Sequence, residues 1–165
     1  MNNNKNILIL NTGGTLSKVY NELSGELIVP KNNAAINMIA KYSKLSNTTI
    51  DGLIYKDSLK INNNDRDKLV EYINHSNFTK IIIVHGTDTI NITASYLNKR
   101  VQNKKIILTG SMIPFSINQI EATANIMSAY GFIKNCKKNN IYISMHGLIK
   151  KHNKIKKNKT LGVFQ

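Results

Sequence analysis

Three loops carry hydroxyl groups beside small or charged residues: Thr12-Gly13-Gly14-Thr15, Lys56-Asp57-Ser58 and His85-Gly86-Thr87-Asp88-Thr89. A hydroxyl is a poor nucleophile at its free pKa and needs a base, for which a desolvated lysine oriented by a carboxylate is one solution. Thr15, Ser58 and Thr87 are the candidate nucleophiles. Asp88 and a lysine from the basic stretch holding Lys156 and Lys157 could supply the base. The glycines permit tight turns and close backbone approach to a ligand, and free N–H groups there can hold an anion or a developing oxyanion. A single Thr-Gly-Gly-Thr reads equally well as a tight turn capping a helix. Its coincidence with Gly-Thr-Asp-Thr is what favours catalysis.

Other chemistries fit these residues less well. His85 and Asp88 belong to no ligand pattern such as His-Glu-x-x-His, so no metal site is expected. Thr12–Thr15 lacks the spacing of a dinucleotide fingerprint or a phosphate loop, and no cofactor is expected. Cys136 is the only cysteine, which rules out an intramolecular disulfide and a cysteine zinc cage. A net charge of +14 would attract phosphate backbones or anionic substrates. No aromatic-basic interleaving accompanies it, and the abundance of Lys, Asn and Ile suits a compositional bias, so a nucleic-acid partner is not expected. Met1-Asn2-Asn3-Asn4-Lys5 leads only into the short apolar run Ile7 to Leu10, too brief for a signal-peptide core or a membrane helix. A cytoplasmic protein without a membrane partner is expected.

The loops are positioned by recurring Ile/Val-rich runs: Ile7 to Leu10, Thr49 to Tyr55, Lys80 to Val84, Lys105 to Leu108 and Ile141 to Met145. Each reads as a buried strand. Helical spacing fills the intervals, in Ala35/Ile36/Ile39/Ala40, Leu69/Val70/Ile73, Ile90/Ala94/Leu97 and Ile126/Ala129/Tyr130/Ile133. Such alternation predicts an α/β three-layer sandwich with a mostly parallel, flavodoxin-like sheet flanked by helices. The 165 residues suit a single domain over positions 1–165. In open α/β sheets ligands bind at the carboxyl ends of strands, and all three hydroxyl loops fall there, as do Thr109-Gly110-Ser111-Met112 and His146-Gly147.

Thr12-Gly13-Gly14-Thr15-Leu16 and His85-Gly86-Thr87-Asp88-Thr89 resemble the paired signatures of bacterial-type L-asparaginases. Thr109-Gly110-Ser111-Met112-Ile113-Pro114 is similar to that family's Gly-Ala/Ser-Met-x-Pro segment, and Asn125 lies in a helix similar to its Phe-Asn-Leu helix. The resemblance implies that Thr15 is the nucleophile, assisted by Tyr20. It implies that Thr87 and Asp88 work with a lysine, for which Lys157 is preferred and Lys156 is the rival. It further implies that Ser58 binds the substrate carboxylate, with Asp57, Thr87, Asp88 and Ser111 completing the substrate site. Leu59 stands where many members have Gln. The implied reaction converts L-asparagine to L-aspartate and ammonia through a threonine acyl-enzyme, without a cofactor.

Longer family members carry a second small α/β domain, and the ending Lys157–Gln165 resembles that of short members, so a complete small protein associating as a homodimer or higher oligomer is expected. Two alternatives stay open: a subunit of a tRNA-dependent amidotransferase, and a non-catalytic protein that binds asparagine or aspartate.

Overall fold

The computed structural model describes residues 7–165; the segment Met1–Lys5 that leads into the short apolar run lies outside the described residues. Strand β1 (Ile7–Gly13) is buried along its whole length, as expected of a strand covered on both faces. After it come a short hairpin of β2 (Val19–Asn21) and β3 (Glu26–Ile28), helix α1 (Ala34–Tyr42) and strand β4 (Thr48–Lys56). Then follow α2 (Asn63–His75), β5 (Lys80–Val84), α3 (Ile90–Asn98), β6 (Lys105–Thr109), α4 (Gln119–Asn135) and β7 (Asn140–Met145). The chain closes with β8 (Leu148–Lys151), β9 (Lys157–Asn158) and β10 (Val163–Phe164).

Among the described residues the main sheet has the order β4-β1-β5-β6-β7-β8. The first five strands are mutually parallel and β8 returns antiparallel to β7. The parallel strands thus follow the flavodoxin-like order, whose reversal falls between β1 and β5, the place where a crevice opens at the strand ends. Alternation along each strand divides the core. Leu8, Leu10, Ile81, Ile83, Ile106 and Leu108 pack against α2 and α3 on one face. Ile7, Ile9, Ile82, Val84 and Ile107 pack against α1 and α4 on the other. Helix α2 begins with a capping box between Asn62 and Asp65 that satisfies two otherwise orphaned N–H groups.

Candidate functional site

The crevice between β1 and β5 is built where backbones approach too closely for any side chain. A Cβ on Gly14 would lie 2.3 Å from the Gly86 nitrogen, one on Gly13 2.5 Å from the Lys56 carbonyl, and one on Gly110 2.3 Å from the His85 carbonyl. The exits of β1, β4, β5 and β6 are therefore in mutual backbone contact. Gly13 and Gly14 also have φ of 97° and 81°, which only glycine adopts without strain. Asn11 fixes the first turn by accepting the Gly13 N–H at 2.8 Å and the Ser17 hydroxyl at 3.2 Å.

The two threonines of the first loop have different surroundings. Thr12 is fully buried and donates its hydroxyl to the Val84 carbonyl at 2.8 Å, tying β1 to β5. Thr15 is half-buried and opens a short 3-10 turn, Thr15–Ser17. Thr15 and Thr87 each follow a glycine of the Gly14–Gly86 contact, so their loops emerge side by side. Lys157 Nζ reaches from the carboxyl-terminal segment to Thr87 Oγ1 at 2.9 Å and to Asp88 Oδ1 at 2.7 Å. Its side chain is only 14% exposed. Of the two neighbouring lysines, this one meets the loop; Lys156 instead is exposed and pairs its backbone with Gln165.

Behind this loop runs a buried chain of hydrogen bonds. His85 Nδ1–H donates to the Gly86 carbonyl at 2.8 Å, which leaves Nε2 to accept the Thr93 hydroxyl at 2.9 Å. Thr93 Oγ1 in turn accepts Arg66 Nε–H at 3.1 Å. Burial, opposed only in part by the bond to Gly86, pushes the His85 pKa down to about 4, so its ring is neutral at physiological pH. The neutral ring holds the loop from within and has no access to solvent. Arg66 and Thr93 were not singled out from the sequence, although both fall on the apolar faces of their helices, Arg66 with Leu69 and Ile73, Thr93 with Ile90, Ala94 and Leu97. A charge at such a position signals a buried partner.

The remaining candidates are more dispersed. Ser58 is buried against Gly86, whose added Cβ would meet Ser58 Oγ at 2.7 Å. Asp57 caps the turn after β4, accepting Leu59 N–H at 3.0 Å, and pairs with Lys18 at 2.6 Å. The hydrogen bond from Lys18 holds its carboxyl below the usual value against the opposing effect of burial. Ser111 is buried and donates its hydroxyl to the Ile113 carbonyl. Tyr20 stands 63% exposed on the β2–β3 hairpin. The hairpin root is fixed by Ser116 Oγ donating to the Lys18 carbonyl at 2.8 Å. Among the described residues, no three His, Cys, Asp or Glu side chains are grouped to hold a metal ion. No helix there is long and apolar enough to cross a membrane. A groove of about 740 Å³, lined by Leu53, Tyr72 and Phe78, lies between β4, the second half of α2 and the connection to β5, and includes none of these loop residues.

A family model described as asparaginase, N-terminal, matches residues 6–164. L-asparaginase 2 of Bacillus subtilis (strain 168) is 28% identical over 133 residues, covering 75% of this chain and 36% of its own. The glutaminase-asparaginase of Acinetobacter glutaminasificans is 29% identical over 134 residues, covering 75% of this chain and 40% of its own. The thermostable L-asparaginase from Thermococcus kodakarensis superposes with a TM-score of 0.82 at 26% identity, covering 97% of this chain and 50% of that one. A probable cytoplasmic L-asparaginase from Campylobacter jejuni shares the fold, with a TM-score of 0.80 at 21% identity over 98% of this chain and 52% of that one. The chain thus spans 36 to 40% of these curated relatives and about half of the solved structures.

Proposed function

The chain belongs to the asparaginase family, matching its N-terminal domain, and from that premise we propose that it hydrolyses the side-chain amide of L-asparagine through a threonine acyl-enzyme. The observation that carries the reading is Lys157 Nζ hydrogen-bonded to both Thr87 Oγ1 and Asp88 Oδ1 beside the Gly14–Gly86 seam. A base, an orienting carboxylate and two hydroxyls on adjacent strand exits are the parts that activating a hydroxyl requires.

In the proposed reaction Thr15 Oγ attacks the amide carbon while its proton passes to a base assisted by Tyr20, and backbone N–H groups of the two loops stabilise the oxyanion. The C–N bond breaks as the nitrogen takes up a proton, releasing ammonia and leaving the β-aspartyl ester of Thr15. Water activated through Thr87 and Lys157 adds to the ester, and cleavage of the C–O bond regenerates Thr15 with L-aspartate as product. Ser58 and the β4 exit receive the α-carboxylate, and Asp88 receives the α-amino group. Asp57, tied to Lys18, and Ser111, tied to Ile113, act by shaping these loops. No metal or cofactor enters the scheme. The reading places the protein in the cytoplasm, a reducing compartment that suits its single cysteine, and has it act as a homodimer or higher oligomer.

One observation favours a second assignment within the same chemistry. Lys157 contacts the Thr87 hydroxyl directly, so Thr87 is the rival nucleophile. Neither an ammonia-supplying subunit of an amidotransferase nor a ligand sensor gains support, since the relatives named above are asparaginases and a glutaminase-asparaginase. The test is ammonia release from L-asparagine by the wild type, Thr15→Ala, Thr87→Val, Lys157→Met and Lys156→Met, with mass spectrometry of acid-quenched enzyme. A mass increase of an aspartyl group located on Thr15, with turnover lowered about 10³-fold or more in Thr15→Ala, is expected. Lys157→Met should lower turnover about 10²-fold or more while Lys156→Met leaves it unchanged. An adduct on Thr87 would exchange the two roles, and full activity in Thr15→Ala would overturn the nucleophile.

A further inference from the structure

His146 takes no part in the chemistry proposed above, yet it lies between the segments that carry it. It follows β7 with a left-handed φ of 52°, a conformation that Gly and Asn accept and that other residues adopt where their surroundings hold them. Both ring nitrogens are engaged. Phe164 N–H donates to Nδ1 at 3.3 Å, so Nε2 carries the proton and donates to Glu121 Oε1 at 3.0 Å. Glu121 also accepts the Met112 N–H at 2.8 Å and the Ile113 N–H at 3.0 Å. The His146 backbone N–H donates to Asn125 Oδ1 at 3.0 Å, and Asn125 Nδ2 donates to the Gly110 carbonyl at 2.9 Å.

Phe164 is the residue paired with Lys157 in the β9–β10 ladder. Phe164 is 3% exposed, sits in the core cluster with Ile155 and Met145, and its ring meets the His146 ring edge-on at 5.9 Å. Lys156 and Gln165 close the same ladder with two backbone bonds of 2.8 and 2.9 Å. The lysine is therefore borne on a two-stranded ribbon, an element too short to hold its own geometry in water. At its start the ribbon is held by Asn91 Nδ2, which donates to the Ile155 carbonyl at 2.7 Å. On the strand facing Lys157 it is held by burial of Phe164 and by that residue's bond to His146, which is itself anchored through Glu121 and Asn125 to the β6 exit.

We propose that His146 is a positioning residue for Lys157: its Nδ1 seats Phe164 and so sets the lysine against Thr87 and Asp88. The inference rests on the reading of Lys157 as part of the catalytic base. Asn and Gly both accept the backbone of position 146, but only Asn offers an acceptor near the place of Nδ1. H146G against H146N therefore separates the hydrogen bond from backbone strain, and the His146 backbone N–H persists in both.

The experiment measures kcat, KM and Tm of the full chain, together with acetylation of Lys157 by an amine-reactive ester mapped by peptide mass spectrometry. In H146G, kcat should fall about tenfold with KM within about twofold, as loss of aligned base catalysis requires. Acetylation of Lys157 should rise about threefold, that of Lys56 should not change, and H146N should restore both readouts. Equal behaviour of H146G and H146N, or wild-type kcat and labelling in H146G, would overturn the proposal. If H146G does not fold, His146→Ser, too short to reach the Nδ1 position, takes its place in the same comparison. Lys157→Met is the control for the underlying reading: if it retains turnover, that reading fails, whereas the labelling of Lys157 in the His146 variants still decides whether the latch holds the lysine.

Discussion

A buried neutral histidine makes the protein acid-sensitive in a defined window. His85 has an ordinary pKa of 6.5 when the chain is unfolded and about 4 when folded, because burial penalises the imidazolium. Between these values the unfolded chain binds a proton that the folded chain refuses, so unfolding gains as pH falls. The His85 contribution is fully favourable above pH 6.5, is lost progressively toward pH 4, and amounts to about 3 kcal/mol over that interval. Urea unfolding across this range should show stability rising with pH. His85→Gln, which has no proton to take up, should show a flatter profile; parallel profiles for the two proteins would remove His85 as the cause. Asp57 and Asp65 titrate below their ordinary value of 3.8 and so add their own acid-lability below this window.

At the scale of elements, the site depends on how closely four strand exits can approach. Gly86 has room for a Cβ only at 2.6 Å from Ser58 Cβ and 3.2 Å from Gly14 Cα. Gly86→Ala should therefore cost about 2 kcal/mol, and Ser58→Gly should recover part of that by removing the nearer clash. Gly14→Ala meets the His85–Gly86 backbone and carries a φ of 81°, so no neighbouring side-chain substitution should rescue it. Thermal melts of the single and double variants measure the coupling, and additive losses at Gly86 and Ser58 would show that the exits separate freely. These exits were legible in the sequence because buried parallel strands are continuous apolar runs ended abruptly by Gly and Thr, as in Ile81-Ile82-Ile83-Val84 before His85-Gly86. Lys157 itself was marked by resemblance, while its place against Asp88 comes from a ribbon of two-residue strands with no periodicity to read. The β2–β3 hairpin was equally silent: its three-residue strands leave Val19, Leu27 and Ile28 exposed, so they show no alternation of buried and solvated positions. The antiparallel return of β8 was hidden by Lys150 and Lys151, which read as solvated charge and serve an edge strand by discouraging further pairing.

For the whole molecule, two opposing forces decide association. The hairpin, the loop before α4 and the first turn of α4 leave Tyr20 63%, Leu27 42%, Ile117 65% and Ile120 77% exposed, and the Ser116–Lys18 bond joins the hairpin to that loop. Apolar side chains gathered at the rim of a site gain by being covered, and a second copy of the chain brings the same surface. Against this stands a net charge of +14, so two copies repel each other before their apolar surfaces touch. The repulsion acts through solvent and is screened within about 10 Å at 0.1 M salt, whereas burial of apolar surface needs no counterion and is not weakened by salt. Association should therefore increase with ionic strength, the reverse of an assembly held by surface ion pairs. Light scattering at fixed protein concentration should report a mass rising from monomer toward dimer as sodium chloride is raised from about 20 to about 300 mM. The double substitution Ile117→Asp, Ile120→Asp should stay monomeric throughout, since it replaces two of the most exposed apolar side chains with charges that must be desolvated on contact. A wild-type chain that remains monomeric at both salt concentrations would assign the exposed hairpin to the closing of each protomer over its own site instead.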